Sequence, residues 1–355
     1  MIILLTSNYD GGILQLACQL DREMKSLYGN VVLFAPDNSA LGSLPKNAIT
    51  YSRESSLNPL NRKFRIIAHN IEKLNPKIVF VCDSNLITAR IITELKEEIQ
   101  VVMCVHDVNP HPNYGGFKAQ FKDWLKAPYV LKGWRRANKI LLLSKHSFEG
   151  FKEKYKIFEN KLDILKLGAH VPNVNGKQPP EIENDHEPYF LFFGRIDKYK
   201  GIFNLLKAFH EVENKVHTRL VIAGNGYLTE EEQKLIRNST SKITLIKRYV
   251  ADEEMVWLFE NSKCLVLPYI EASQSGVLSM AYYFGKRVIV SDLDGLIEFV
   301  DAGVTGDIFH SVDELEKILL DYDEINSSRN GNVLEYYANN LDWKTGIHRC
   351  LIDMV

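Results

Sequence analysis

Nothing in the chain approaches the run of about 20 apolar residues needed to cross a bilayer. The opening MIILLTSNYDGG has no positively charged region ahead of its short apolar stretch. Neither a membrane span nor a secretory signal is expected, and the chain is read as cytoplasmic. Cysteine is sparse: Cys18, Cys82, Cys104, Cys264 and Cys350 are scattered, with no C-x-x-C pair. That spacing argues against a disulfide or metal framework and for small buried hydrophobes in a reducing compartment. An excess of one charge sign is lacking too. A net charge of −2 removes the long-range field of a nucleic-acid binder, so any basic function must come from a local patch. There is no short internal repeat and no low-complexity tract.

What is present suits two α/β domains: 355 residues, 45% hydrophobic and 25% charged. In the first half Ile2–Thr6, Val31–Ala35, Ile78–Cys82, Val101–Val105 and Ile140–Leu143 are short, β-branched and continuously apolar. Strands buried on both faces of a parallel sheet read this way. Between the first two lies Gly12–Tyr28, with Leu14, Ala17, Cys18 and Leu20 at helical spacing, which makes a βαβ unit. Residues 171–188, VPNVNGKQPPEIENDHEP, are rich in Pro, Asn and acids and read as a linker with an exposed loop. The same grammar restarts with Tyr189–Phe193, Leu220–Ala223, Ile243–Ile246, Cys264–Leu267 and Val288–Val290, separated by helical segments such as Ile202–Glu213 and Glu253–Glu260. The expected organisation is a first Rossmann-like domain over 1–170, a linker over 171–188 and a second such domain over 189–335. A helical segment over 336–355 is expected to pack back on the first domain. Two doubly wound domains would then face each other across a cleft, with ligands beyond the carboxyl ends of the strands.

Three motifs fall at such strand ends. Gly11 and Gly12 follow the first strand and open a helix, where bare backbone suits an approaching anion or simply a tight turn. In FFGRIDKYKG, Arg195 and Lys200 lie in a loop leading into a helix. A forked guanidinium and a point-charge ammonium beside a helix N-terminus suit a diphosphate, the alternative being a solvated loop. In PYIEASQSGVLSMAYYFGKR, Glu271 precedes Ser275-Gly276 at a helix start. The free N–H groups of Ser275, Gly276 and Val277 would face the cleft, beside a carboxylate able to accept from sugar hydroxyls.

Taken in order, these motifs resemble the group 1 family of retaining glycosyltransferases with the two-Rossmann-domain GT-B fold. VVMCVHDVNP, ANKILLLSKHSFEGF, LVIAGNGYL and SDLDGLIEFVDAGVTG continue the match along nearly the whole chain. The resemblance implies that the second domain binds a nucleotide-diphosphate sugar. Arg195 and Lys200 would hold its diphosphate and stabilise the leaving phosphate. Glu271 would contact the transferred sugar, the Ser275, Gly276 and Val277 amides its oxygens, and His106 the donor sugar from the facing domain. Gly11 and Gly12 would let the first helix approach the donor. It also implies retention of anomeric configuration, a saccharide or lipid-linked acceptor, and a place in cell-surface polysaccharide or glycolipid synthesis. One departure stands out. The family usually has a second glutamate eight positions after the first, for the ribose; counted from Glu271 that position is Ser279, a weak candidate, and anchored on Gly285 it is Met280, so in either register the second carboxylate is missing. A sugar-nucleotide 2-epimerase and a non-catalytic sugar-nucleotide-binding subunit are the alternatives.

No cofactor is expected. Asp292 and Asp294 form a D-x-D, and Gly224-Asn225-Gly226 begins a dinucleotide fingerprint without its third glycine, so neither metal nor NAD binding is inferred. His111 and His146 have no partner pattern. Phe117 to Lys139 holds seven basic residues and one acid. On a helical wheel Phe117, Phe121, Trp124 and Leu125 share one arc and Lys118, Lys122 and Lys126 the next. That pattern is read as an interfacial helix on anionic lipid at the inner face of the plasma membrane, the alternative being a solvated helix packed on its own domain.

Overall fold

The computed structural model describes residues 1–9, 11–37, 44–52, 62–106, 116–182, 187–239, 242–324 and 331–355. They form two compact units, Met1–Lys166 with Trp343–Val355, and Leu167–Asp342.

The first unit is built on seven parallel strands: β1 (Ile2–Leu5), β2 (Val31–Pro36), β3 (Ile49–Tyr51), β4 (Ile78–Val81), β5 (Gln100–Val105), β6 (Lys139–Leu142) and β7 (Leu162–Ile164). Their order is β3-β2-β1-β4-β5-β6-β7. β1 and β4 are buried along their whole length, which is why they read as unbroken apolar runs rather than alternating ones. The crossovers are α1 (Gly11–Tyr28), α2 (Lys63–Glu72), α3 (Leu86–Ile92), α4 (Gly116–Arg136) and α5 (Lys145–Lys154). Asn85 starts α3 through a capping box with Thr88, the reciprocal bonding that fixes a helix start. Trp134 of α4 makes edge contacts with Phe151, Tyr155 and Phe158 and donates its indole N–H to Ser84 Oγ at 2.7 Å. β3 and β7 lie at the sheet edges. They are three residues long and incompletely buried, so they lack the apolar run that marks the central strands.

The second unit repeats the plan with β8 (Tyr189–Phe193), β9 (Arg219–Ala223), β10 (Ile243–Ile246), β11 (Ser262–Leu267), β12 (Arg287–Ser291) and β13 (Gly306–Phe309), in the order β10-β9-β8-β11-β12-β13. The helices are α6 (Ile202–Val212), α7 (Glu230–Asn238), α8 (Asp252–Asn261), α9 (Gly276–Tyr283), α10 (Asp294–Ile297), α11 (Val312–Glu324) and α12 (Gly331–Asn340). Phe190, Leu191, Phe192, Ile222, Val266 and Ile289 form the centre of its core. Both expected doubly wound parallel sheets are present. β13 is an additional edge strand, partly exposed over Asp307 and Ile308. The last helix, α13 (Trp343–Leu351), returns to the first unit, where Arg349 pairs with Asp163 at 2.9 Å.

Residues 171–182, polar enough to read as linker, lie along the second unit. The Lys177 N–H donates to Glu253 O at 2.9 Å, and Arg248 forks onto Glu181 with two contacts of 2.7 Å. Ile182 is buried. A composition poor in apolar residues is held here by ion pairs and backbone hydrogen bonds instead of a hydrophobic stripe.

Candidate functional site

In a parallel sheet that grows first one way and then the other, the loops on either side of the reversal separate and leave a crevice. In the second unit the chain runs β8, β9, β10 outward and then returns to place β11 on the other side of β8. The crevice therefore lies between the loops after β8 and β11. These loops carry Arg195 and Lys200, and Glu271 and Ser275, respectively.

The loops are locked to each other by backbone. Ile270 and Glu271 donate to Tyr199 O at 2.8 and 3.4 Å. Gly201, at φ 63°, closes the 3-10 turn Lys198–Lys200, and a Cβ there would collide with the Pro268 carbonyl. Only glycine combines that left-handed backbone with that approach. The turn places the Lys200 ammonium 3.5 Å from the centroid of the Tyr269 ring and 4.9 Å from that of Tyr199. Burial pulls its pKa down to about 8, with the Arg195 charge acting the same way and Tyr199 and Asp197 opposing. The ring faces attract an ammonium, but desolvation is the larger effect. Among the described residues no carboxylate pairs with Lys200 or with the exposed Arg195.

Beside them, α9 starts at Ser275, whose side chain makes no capping hydrogen bond. Its hydroxyl instead lies 3.4 Å from Tyr269 Oη. The first-turn N–H groups of Gly276 and Val277 are left for an external acceptor, and the helix dipole favours a negative one. Among the described residues, two cations without a carboxylate partner and an uncapped helix start lie on these loops, an arrangement that suits an anion. Glu271 is on the same loop, partly exposed. Ser279 is not at the rim: it is 2% exposed and donates its hydroxyl to Leu167 O at 2.6 Å, so its proton is committed within the unit.

The two acids of the D-x-D have different local settings. Asp292 Oδ2 pairs with His310 Nδ1 at 2.8 Å, while Asp294 opens α10. No cluster of three or more His, Cys, Asp or Glu gathers among the described residues. Gly224 and Gly226 serve the neighbouring loop. Gly194 N–H donates to Ala223 O and Ile196 N–H to Asn225 O, and a Cβ on either glycine would strike the Gly194 or Ile196 carbonyl. Their spacing reflects backbone packing.

In the first unit, Gly11 and Gly12 open α1, and a Cβ on Gly12 would meet nothing within 4 Å, so packing within the unit does not demand glycine there. His106 follows β5, and its Nε2 lies 2.7 Å from Cys82 O. A carbonyl only accepts, so Nε2 is the donor of this contact. Of the basic aromatic stretch, Lys126 is partly exposed on α4, whereas His111 and the side chains of Phe117, Lys118, Phe121, Lys122, Trp124 and Leu125 lie outside the described residues. Within the described residues, no helix is long and apolar enough to cross a membrane. Tyr199 and Tyr269, which support Lys200, were not marked by any local spacing. Their one sequence signal is an aromatic next to Lys200 in one motif and two residues before Glu271 in the other.

Residues 175–330 match the family model described as glycosyl transferases group 1. The match covers less than half of the chain. An uncharacterized glycosyltransferase of Methanocaldococcus jannaschii is 27% identical over 158 residues, 43% of this chain and 40% of that protein. The lipopolysaccharide 1,2-N-acetylglucosaminetransferase of Salmonella typhimurium is 28% identical over 145 residues, 38% of each chain. The alignments thus span about two-fifths of the length of these curated relatives. Among solved structures, a glycosyltransferase from Rickettsia africae superposes with a TM-score of 0.76 at 18% identity, covering 99% of this chain and 97% of that one. Anabaena HepE in complex with UDP gives 0.75 at 15% identity, covering 99% of both. At these identities the likeness is one of fold, two Rossmann-like α/β domains of the GT-B class.

Proposed function

We propose that the chain is a glycosyltransferase that takes a sugar from a nucleotide-diphosphate donor and passes it, with retention, to a saccharide or lipid-linked saccharide. The observation that carries this reading is the second unit's crevice, where Lys200, Arg195 and the start of α9 form an anion site with no acidic partner among the described residues. The family match over residues 175–330 supports it. So do relatives that act in lipopolysaccharide synthesis or bind UDP.

In this account the donor diphosphate replaces water around Lys200 and Arg195. As the bond between the anomeric carbon and the phosphate oxygen breaks, negative charge grows on that oxygen. Preorganised donors aimed at it are worth about 2–4 kcal/mol each in transition-state stabilisation. The acceptor oxygen bonds to the same face of the anomeric carbon and gives its proton to the departing phosphate. Glu271 receives hydroxyls of the transferred sugar, and His106 and Gly12 of the first unit contact sugar and phosphate. The side-chain cations supply the countercharge, so no metal or cofactor is invoked. The basic stretch on α4 brings the protein to an anionic membrane face carrying the acceptor.

A thermal-shift series with nucleotide-diphosphate sugars tests the reading, because a ligand of the native state raises the melting temperature by mass action. At least one donor is expected to stabilise the wild type and to lose that effect in Arg195→Ala and Lys200→Ala. Equal stabilisation of both folded variants would remove this loop from the site.

A further inference from the structure

The helices that cover one face of the first sheet carry a charged groove on their outer side. α2 buries Phe64, Ile67, Ala68 and Ile71, a stripe at helical spacing that joins Ile91, Ile92 and Leu95 in the core. Its opposite stripe is therefore turned outward. There Arg62, Arg65, Ile66 and His69 are exposed and line a groove of about 850 Å³. Arg90 and Glu94 near the end of α3, with Lys96 just after it, line it from the other side.

A solvated helix face ordinarily interleaves charges of both signs. From residue 62 to 71 this one carries Arg62, Lys63 and Arg65 and no acid. The groove holds four cations and two carboxylates, Glu72 and Glu94, and both carboxylates are engaged. Glu94 accepts from Arg90 Nη2 at 2.8 Å and from Arg65 Nε at 3.3 Å. Glu72 accepts the Lys96 N–H at 2.9 Å and lies 4.0 Å from His69 Nδ1. One carboxylate thus holds two guanidiniums side by side and neutralises one of them. Arg90 is committed further, through Nη1 to Thr93 Oγ1 at 3.3 Å and by its place 5.9 Å from the Phe64 ring centroid. Arg65 is not: its contact through Nε leaves the edge made by its two Nη groups without a partner among the described residues. The Arg62 guanidinium and the Lys96 ammonium have none there either. Ile66, 57% exposed, is an apolar residue among these cations.

We infer that this groove binds a phosphate monoester, with Arg62 and Arg65 on the phosphoryl oxygens and Ile66 against the esterified carbon. A monoester carries close to two negative charges near neutral pH on three strong acceptor oxygens. The guanidinium edge matches two such oxygens at once. Glu94 is a positioning residue, holding Arg65 by Nε so that the Nη edge meets the ligand. A carboxylate or a phosphate diester brings a single charge and gains less from two guanidiniums. Neither the donor crevice of the second unit nor the vesicle reading of α4 is needed for this site. The monoester comes either from a soluble phosphorylated metabolite or from a lipid headgroup.

Two measurements on the full chain separate these sources. Calorimetry with glycerol 3-phosphate reads the soluble one. Flotation with phosphatidylcholine vesicles containing phosphatidic acid, against phosphatidylglycerol at matched surface charge, reads the lipid one, because phosphatidylglycerol is a diester. Arg62→Gln combined with Arg65→Gln removes both guanidiniums from exposed positions, Arg65 having 82% of its side chain in solvent. Lys73→Gln removes an exposed charge just past α2 and outside the groove. Losing charge-assisted hydrogen bonds corresponds to roughly tenfold or more in affinity. Glycerol 3-phosphate binding that falls by that factor in the double variant and persists in Lys73→Gln supports a soluble monoester. A preference for phosphatidic acid alone, lost in the double variant and kept in Lys73→Gln, supports the lipid. The donor crevice is unchanged in the double variant, so its difference from wild type reads the groove whether or not that crevice takes a nucleotide. A wild type that binds no glycerol 3-phosphate and floats equally with both anionic vesicles overturns the inference. So does binding that is equal in wild type and the double variant, and so does an equal loss in Lys73→Gln, which marks a diffuse positive field.

Discussion

Lys200 makes the donor site sensitive to pH in a direction that can be worked out. Burial holds its pKa at about 8, so half of the molecules carry a neutral amine at that pH. A diphosphate binds the ammonium form, so its arrival pulls the pKa back up and a proton is taken from solution. Below about pH 7 the ammonium dominates and affinity is flat in this group. Each further unit above pH 8 costs about tenfold, or about 1.4 kcal/mol, until the bound-state pKa is reached. Between pH 7 and 9 the ammonium fraction falls from about nine-tenths to about one-tenth, so UDP affinity is expected to fall roughly tenfold. Titration calorimetry in two buffers of different ionisation heat should register net uptake near half a proton at pH 8. Lys200→Arg, which stays charged, should abolish both the uptake and the alkaline loss. UDP affinity that is equal at pH 7 and 9, with no proton uptake, would refute the claim that this ammonium meets the diphosphate.

The same depressed pKa acts on folding with the opposite sense. Lys200 binds fewer protons folded than unfolded, so its contribution to stability grows as pH rises from about 8 to the ordinary lysine range. Chemical denaturation should show that rise in wild type and lose it in Lys200→Met. Gly201→Ala should destabilise by more than about 1 kcal/mol, since the new Cβ meets the Pro268 carbonyl at a left-handed backbone. It should also weaken UDP binding, whereas an unchanged melting temperature would contradict the loop lock. Transfer activity should survive EDTA, because the countercharge is assigned to side chains; loss restored by magnesium would bring Asp292 and Asp294 back. The chain should sediment with anionic vesicles at low salt and release as salt rises, at about 1 kcal/mol per basic group. Replacing Lys118, Lys122 and Lys126 by Glu should abolish this, and a wild type indifferent to such vesicles would return α4 to an ordinary solvated helix.

The central strands were legible because burial on both faces leaves apolar runs such as Ile2–Leu5 and Ile78–Val81. β3, β7 and β13 were not, because short edge strands need no such run. The charges of the donor motif could be read from the sequence, but their setting could not. Lys200 and Tyr269 meet only because the sheet order puts β8 beside β11. Gly224 and Gly226 carry a spacing suggestive of a cofactor, yet the fold spends it on backbone contact with the Gly194–Ile196 loop. Ser279 could be placed by counting from Glu271, but its orientation towards Leu167 depends on tertiary packing.

The account stands most directly on where the diphosphate goes. A crystal structure of the full chain with a stabilising nucleotide sugar should place the diphosphate oxygens within hydrogen-bond distance of Arg195, Lys200 and the Gly276 or Val277 N–H. A diphosphate bound away from the loops after β8 and β11, with Lys200 still resting on Tyr269 and Tyr199, would contradict it.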